Sequence, residues 1–415
     1  MKGKSSLEGL HVRITWIVYC IWACSEGVLK VEIYVIMRRH LLVSCLFIAL
    51  SICKISFGGE EVRSVLQSLV DGKAIPGAVT IVATKDEILD YEAVGFADIE
   101  EKIPMQKDAL FMIASQTKTM TAVAFMILVD EGKVSLDDPV SKYIPEFAEL
   151  KVKNEDTSLT RPKTEILIHH LLSHSGGLNK QCPAVKRDDM MTLEARIKEY
   201  LKMPLVAEPN TKHIYSRPSL TTVGYLIEII SGKSYNEFMQ ERIFNPLEMK
   251  NTTFTPSLEN QKRLPTAYRA NSDKTDFEIQ KLSHSRPLEN PARQPVPSGS
   301  IFSDAMDLTN FCQMLAGKGV YKGKRILSEK SVELMGVKFT PDAHTYGLGC
   351  QLEGDTFGHG GSLGTRMYIF KDKDLIAIYL IQCVRDNLPN GGNQGEKLFK
   401  KAAIKIYDEY KNSKE

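Results

Sequence analysis

Ser115 and Lys118 stand three residues apart in the stretch Ile113-Ala114-Ser115-Gln116-Thr117-Lys118-Thr119-Met120. A helix beginning at Ser115 puts both side chains on one face. The residues that follow, Val123, Ala124, Phe125, Met126, Ile127, Leu128 and Val129, leave no polar stripe, so the predicted helix is buried on all sides. A serine at the dry N-terminal end of such a helix, one turn from a lysine, suits nucleophilic catalysis. The helix dipole favours negative charge developing there, and desolvation drives the lysine towards its neutral, basic form. The Ser-x-x-Lys word is short enough to arise by chance, and Ser51-Ile52-Cys53-Lys54 repeats it inside an apolar leader. Partners elsewhere in the chain must decide whether Ser115 is the reactive copy.

Two segments carry side chains of the right kind. His213-Ile214-Tyr215-Ser216-Arg217 precedes a helical pattern, and Phe357-Gly358-His359-Gly360-Gly361-Ser362 enters a C-terminal strand. Taken in order, Ser-x-x-Lys, Tyr-x-polar and a basic residue with glycines, the chain resembles the serine β-lactamase and penicillin-binding protein superfamily. More closely, it resembles the class C β-lactamase and family VIII esterase branch. The resemblance runs from about residue 60 to the C-terminus. Pro76-Gly77-Ala78, Ile113-Ala114-Ser115, Leu136-Asp137-Asp138-Pro139-Val140, His170-Leu171-Leu172-Ser173-His174, Tyr215-Ser216 and His359-Gly360-Gly361 carry it, all in the family's order.

The resemblance implies roles. Ser115 attacks a carbonyl to form an acyl-enzyme, which water releases. Lys118 and Tyr215 share the proton transfers. Either has an ordinary pKa of about 10, so one must fall by roughly three units, about 4 kcal/mol, to act as base at neutral pH. The backbone N–H groups of Ser115 and Ser362 form the oxyanion hole, and Gly360 and Gly361 let the strand edge approach substrate. No metal or organic cofactor is implied.

Two positions depart from the pattern: many members carry lysine at His359 and asparagine at Arg217. Histidine at 359 is usual in esterase-like and peptidase-like members. The implied activity is therefore cleavage of an ester or amide, esterase- or D-peptidase-like, ahead of a β-lactamase or DD-carboxypeptidase acting on penicillin-type or peptidoglycan substrates. Arg217 is expected to replace the missing lysine charge and depress the pKa values of Lys118 and Tyr215, or else to face solvent or clamp a polar loop. A catalytically inactive binding or scaffold relative is the alternative of another class. Retention of Ser115, Lys118 and Tyr215 together argues against it.

These residues need elements to position them. Periodicity predicts a helix over 60–71, a hairpin of strands over 78–84 and 88–96, and the buried helix closing at Glu131-Gly132. Helical patterns cover 166–172, 191–201, 220–230 and 235–243. A polar, proline-rich surface excursion spans 251–298. Helices over 304–315 and 328–335 lead to strands over 346–352, 365–370 and 375–383 and a closing helix over 395–410. The fold class is α+β, β-lactamase-like: one antiparallel sheet built from N- and C-terminal segments, flanked by helices, with an inserted helical lobe. The hydrolase domain is 59–415, with its α/β part at 59–114 and 299–415 and the lobe at 115–298.

Composition sets limits. With 53 Lys and Arg against 51 Asp and Glu, and no basic run interleaved with aromatics, nucleic acid is excluded as a partner, which leaves a small-molecule or peptide substrate. Met37-Arg38-Arg39-His40 and the apolar run after it read as a signal peptide or membrane anchor at 37–58, with cleavage before Gly59 and export to the periplasm or medium. Residues 1–36 are read as a non-mature extension, their apolar run being too short to span a bilayer.

Cys20, Cys24, Cys45 and Cys53 belong to these N-terminal segments. Cys182, Cys312, Cys350 and Cys383 show no metal-ligand spacing, and pairing or buried thiols both stay open. His170 and His174 lack the glutamate of a zinc helix and are read, with His169, as capping and packing a helix; residues 173–178 are structural. Arg366 is read as a solvated strand arginine ahead of a partner for a substrate carboxylate. Gly360-Gly361-Ser362-Leu363-Gly364 matches a nucleophile elbow, but no histidine follows His359, so Ser362 is not a nucleophile of that type.

Overall fold

The computed structural model describes residues 59–185, 188–282 and 287–415; the extension, the leader and their four cysteines lie outside the described residues. Helix α1 (Gly59–Asp71) precedes a hairpin of β1 (Gly77–Ala83) and β2 (Ile88–Asp98), with β3 (Ile103–Pro104) on its edge. Helices α2 (Thr117–Asp130), α3 (Arg217–Ser231) and α4 (Ala305–Ala316) follow. The chain then returns to strands β4 (Gln351–Glu353), β5 (Thr356–Gly360), β6 (Arg366–Phe370) and β7 (Ile376–Leu380), and ends on α5 (Gly395–Asn412).

The seven strands order as β4-β5-β6-β7-β1-β2-β3, each pair antiparallel. The central pair joins the two ends of the sequence, with Val79 opposite Leu380 and Ile81 opposite Ile378. The sheet therefore has the expected origin. Strand β1 is buried on both faces because its side chains alternate between two cores. Val79, Ile81 and Ala83 join α2 and α4 through Val123, Leu308 and Phe311. Ala78 and Val82 join α1 and α5 through Val62, Leu66, Phe399 and Ala403.

Helix α2 runs through the first of these cores, and every residue from Thr117 to Leu128 is buried. An apolar helix with no polar stripe has no solvent face to offer, so it sits in the middle. Its C-terminus closes as the sequence indicates, with Gly132 at φ +68°.

Two expectations need correction. Residues 346–352 form a ladder only at Gln351–Glu353; Tyr346 makes a single bridge to Gln351. The intervening Tyr346 and Leu348 spend their apolar character on burial, and the chain turns at Gly349 (φ +69°), where a Cβ would lie 2.4 Å from Cβ of Ala122. The 251–298 segment is also more than a surface excursion. It contains a small hairpin, Tyr268–Ala270 with Phe277–Ile279, whose Tyr268 is buried and donates its N–H to Gln382 O at 2.9 Å. Its end reaches α2, where Pro297 O accepts from Thr121 Oγ1 at 2.7 Å.

Cys182, Cys312, Cys350 and Cys383 are buried free thiols. Among the described residues no helix is long and apolar enough to cross a membrane.

Candidate active site

Ser115 lies in a 3-10 turn, Ala114–Gln116, that runs directly into α2. Ala114 adopts φ +48°, a left-handed conformation that costs a non-glycine residue about 1 kcal/mol. Such strain is typical of a backbone that aims a side chain for use. One turn on, Lys118 is only 1% exposed. Its Nζ lies 3.0 Å from Ser115 Oγ and donates to Ser298 O at 2.6 Å.

Tyr215 arrives from the other side. It sits just before Ser216, which caps α3 by accepting from Ser219 N, so the tyrosine is fixed at the entry to a helix. Lys118 Nζ is 4.8 Å from its ring centroid, and Ser115 is near enough to its hydroxyl to pull the phenol pKa down against burial. The structure thus brings a hydroxyl, an amine and a phenol from two distant segments to one point.

Burial controls the electrostatics. It lowers the Lys118 pKa to about 7, and the positive charge of Arg217 adds to the effect. Tyr215 moves the opposite way: burial pushes it up to about 12. Arg217 pulls both groups down, as expected, but at Tyr215 burial outweighs it. An anion is harder to bury than a neutral phenol, and the downward pull of Ser115, Arg385 and Arg217 does not offset that. Arg217 itself is half exposed and ion-paired to Asp188, so it both clamps a loop and acts on Lys118 through its charge.

The third segment lies along β5. Register sets His359 opposite Met367 and Gly360 opposite Arg366. His359 is buried, and burial holds its pKa well below the ordinary value, so the imidazole is neutral. Its Nδ1 is 2.7 Å from Gly360 O and donates to it, which leaves Nε2 to accept from the Tyr346 hydroxyl at 3.0 Å.

Gly361 packs against the loop that leads into Ser115: a Cβ there would lie 2.2 Å from Thr365 Oγ1 and 2.6 Å from Ile113 O. Its missing side chain admits the Ile113 carbonyl rather than substrate. A Cβ on Gly360 would meet Nη1 of Arg366 at 2.9 Å and Nη1 of Arg385 at 3.0 Å. Beyond it Ser362 is exposed. Among the described residues the N–H groups of Ser115 and Ser362 donate to no backbone carbonyl, so both are free to meet an oxyanion.

Other residues fall outside the site. His170 Nδ1 accepts from Leu167 N at 3.0 Å and caps the helix Ile168–Leu172, as expected. Among the described residues no three His, Cys, Asp or Glu side chains gather as for a metal ion. Arg366 is not a solvated arginine. It is 6% exposed, pairs with Glu353 at 2.5 Å and Glu396 at 3.3 Å, and stacks on Tyr368, because β6 faces α5 there. Ser298 and Tyr346 escaped the sequence reading. The first acts through its backbone carbonyl, which no side-chain pattern reveals, and the second was absorbed in an apparent strand.

A serine hydroxyl beside a buried lysine of lowered pKa and a protonated tyrosine suits a serine hydrolase working through an acyl-enzyme. The Beta-lactamase family matches residues 62–394, and the chain belongs to that family of serine hydrolases. A Mycobacterium tuberculosis relative is 29% identical over 362 residues, covering 76% of this chain and 88% of its own. The D-alanyl-D-alanine-carboxypeptidase/endopeptidase AmpH of Escherichia coli is 27% identical over 299 residues, covering 69% and 71%. Among solved structures, EstCE1, a hydrolase with promiscuous acyltransferase activity, superposes with a TM-score of 0.69 at 23% identity, covering 83% of this chain and 97% of that one. That likeness shows the fold.

Proposed function

We propose that the protein cleaves an ester or amide through a Ser115 acyl-enzyme, with esterase- or D-peptidase-like preference. The observation that carries this reading is the Lys118 amine, 3.0 Å from Ser115 Oγ and with a pKa of about 7. Neutral Lys118 takes the Ser115 proton as Oγ bonds to the substrate carbonyl carbon. The resulting oxyanion meets the N–H groups of Ser115 and Ser362. Tyr215, protonated at neutral pH, hands its proton to the leaving oxygen or nitrogen and recovers one from Lys118. Water then attacks the acyl carbon, and the steps reverse to free Ser115. Neutral His359 supports a substrate without the charge partner a lysine would offer.

The experiment is covalent labelling with a fluorophosphonate, together with hydrolysis of short nitrophenyl esters, D-alanyl peptides and a chromogenic cephalosporin. Labelling and turnover should both vanish in Ser115→Ala. Labelling that persists in that variant, or no turnover of any panel member, sinks the reading and favours a binding relative. A peptidoglycan-directed carboxypeptidase is the second reading, favoured by the name of the Escherichia coli relative.

Export is proposed from the sequence of residues 37–58. The N-terminus of protein recovered from the medium or periplasm should be Gly59. Recovery in the cytoplasm with residues 37–58 still attached contradicts it.

A further inference from the structure

One residue holds the chain on both sides of Tyr215. The N–H of Ile214 donates to the His174 carbonyl at 2.8 Å, and the N–H of Ser216 donates to His174 Nδ1 at 3.1 Å. Between these two bonds the His174 ring lies against the Tyr215 ring, with centroids 4.6 Å apart. We propose that His174 is the positioning residue for Tyr215, fixing the phenol against Ser115 through both flanking amides and a ring contact. The inference rests on the reading of Tyr215 as the proton carrier.

Three further observations fit that task. His174 has φ +57°, a left-handed conformation that costs a residue with a Cβ about 1 kcal/mol, and its side-chain contacts offset the strain. The ring is 1% exposed, and burial keeps it neutral. Only a neutral imidazole leaves a lone pair on Nδ1 to accept from Ser216.

With Nδ1 accepting, the ring proton sits on Nε2, a buried atom with no hydrogen-bond partner among the described residues. A nitrogen that faces a fixed amide donor cannot pass a proton on. The ring therefore orients Tyr215 and does not relay for it. Tyr346 closes the far side, its centroid 5.0 Å from that of His174.

The test compares His174→Gln, His174→Asn, Tyr215→Phe and the Gln/Phe double variant in ester hydrolysis, with thermal unfolding of each. Gln has no acceptor at the Nδ1 position, whereas Asn Oδ1 occupies it and Asn tolerates positive φ. The Gln variant should lose about 30-fold or more in kcat with KM within about threefold, as expected when a reacting group is misplaced by a fraction of an ångström. The Asn variant should fold and stay within about fivefold of wild type. In the Tyr215→Phe background the Gln change should add less than about threefold, because it acts through the missing hydroxyl.

A folded Gln variant with near-wild-type kcat overturns the proposal. So does an Asn variant that fails to fold or is as impaired as Gln, and so does a double variant whose losses multiply in full. Wild-type turnover that survives Ser115→Ala, or is untouched by Tyr215→Phe, instead removes the underlying catalytic reading before His174 is in question.

Discussion

Lys118 should make the wild-type protein pay for its chemistry in stability, and the effect has a definite pH signature. Its ammonium titrates near 7 in the folded chain against an ordinary 10.5. At about 1.4 kcal/mol per pKa unit, holding the charged lysine costs the native state about 5 kcal/mol below pH 7. Above 10.5 both folded and unfolded lysines are neutral and the cost is gone. Between these limits the unfolded chain binds the extra proton, so stability rises with pH.

Lys118→Met keeps the volume and removes the titration. It also strands the Ser298 carbonyl, a loss of about 1–3 kcal/mol that does not depend on pH. Near neutral pH the Met variant should therefore be the more stable by about 1–3 kcal/mol. From pH 7.5 to 9.5 wild type should gain on it by about 1.4 kcal/mol per unit. Urea unfolding of both proteins at half-unit intervals measures the difference. Two stability curves running parallel across that window refute a depressed lysine, and with it the neutral base.

The rate should carry the same titration. For a neutral ester, kcat/KM should fall about tenfold per pH unit below 7 and stay level above it, since Tyr215 keeps its proton until about 12. Arg217→Asn should move that acidic limb to higher pH while leaving the plateau height unchanged; an unmoved limb removes the electrostatic role of Arg217. Gly361→Ala should cut kcat by about 100-fold and lower the melting temperature, because the new Cβ would lie 2.6 Å from the Ile113 carbonyl. Wild-type kinetics in that variant show that the close approach is not needed.

What the sequence disclosed follows from the range of each signal. The burial of α2 is a local fact, written in an unbroken apolar run, and Ser115 and Lys118 are tied by helical spacing alone. The β1–β2 hairpin is equally local. Tyr215 and His359 came from likeness to a family, because nothing in their own neighbourhoods says which distant serine they meet. Contacts made by backbone atoms, such as Ser298 O on Lys118 and Ile214 N on His174, leave no mark in residue types. The opposite pKa shifts of Lys118 and Tyr215 also required the fold. The direction depends on which form is charged, and the size on how much protein surrounds it. Arg366 misled for a related reason: strand alternation says which way a side chain points, but not that Glu353 and Glu396 wait there.

The pairing of Val79 with Leu380 also shapes how the molecule must be made. A ribosome has to release nearly the whole polypeptide before the middle of the platform can close. Until then the hairpin that emerged first offers a bare apolar edge. Assembly is governed by a long-range encounter, slow and exposed to aggregation. Losing even the last two strands would remove the neighbour that the first one requires, so early termination should leave no working fragment.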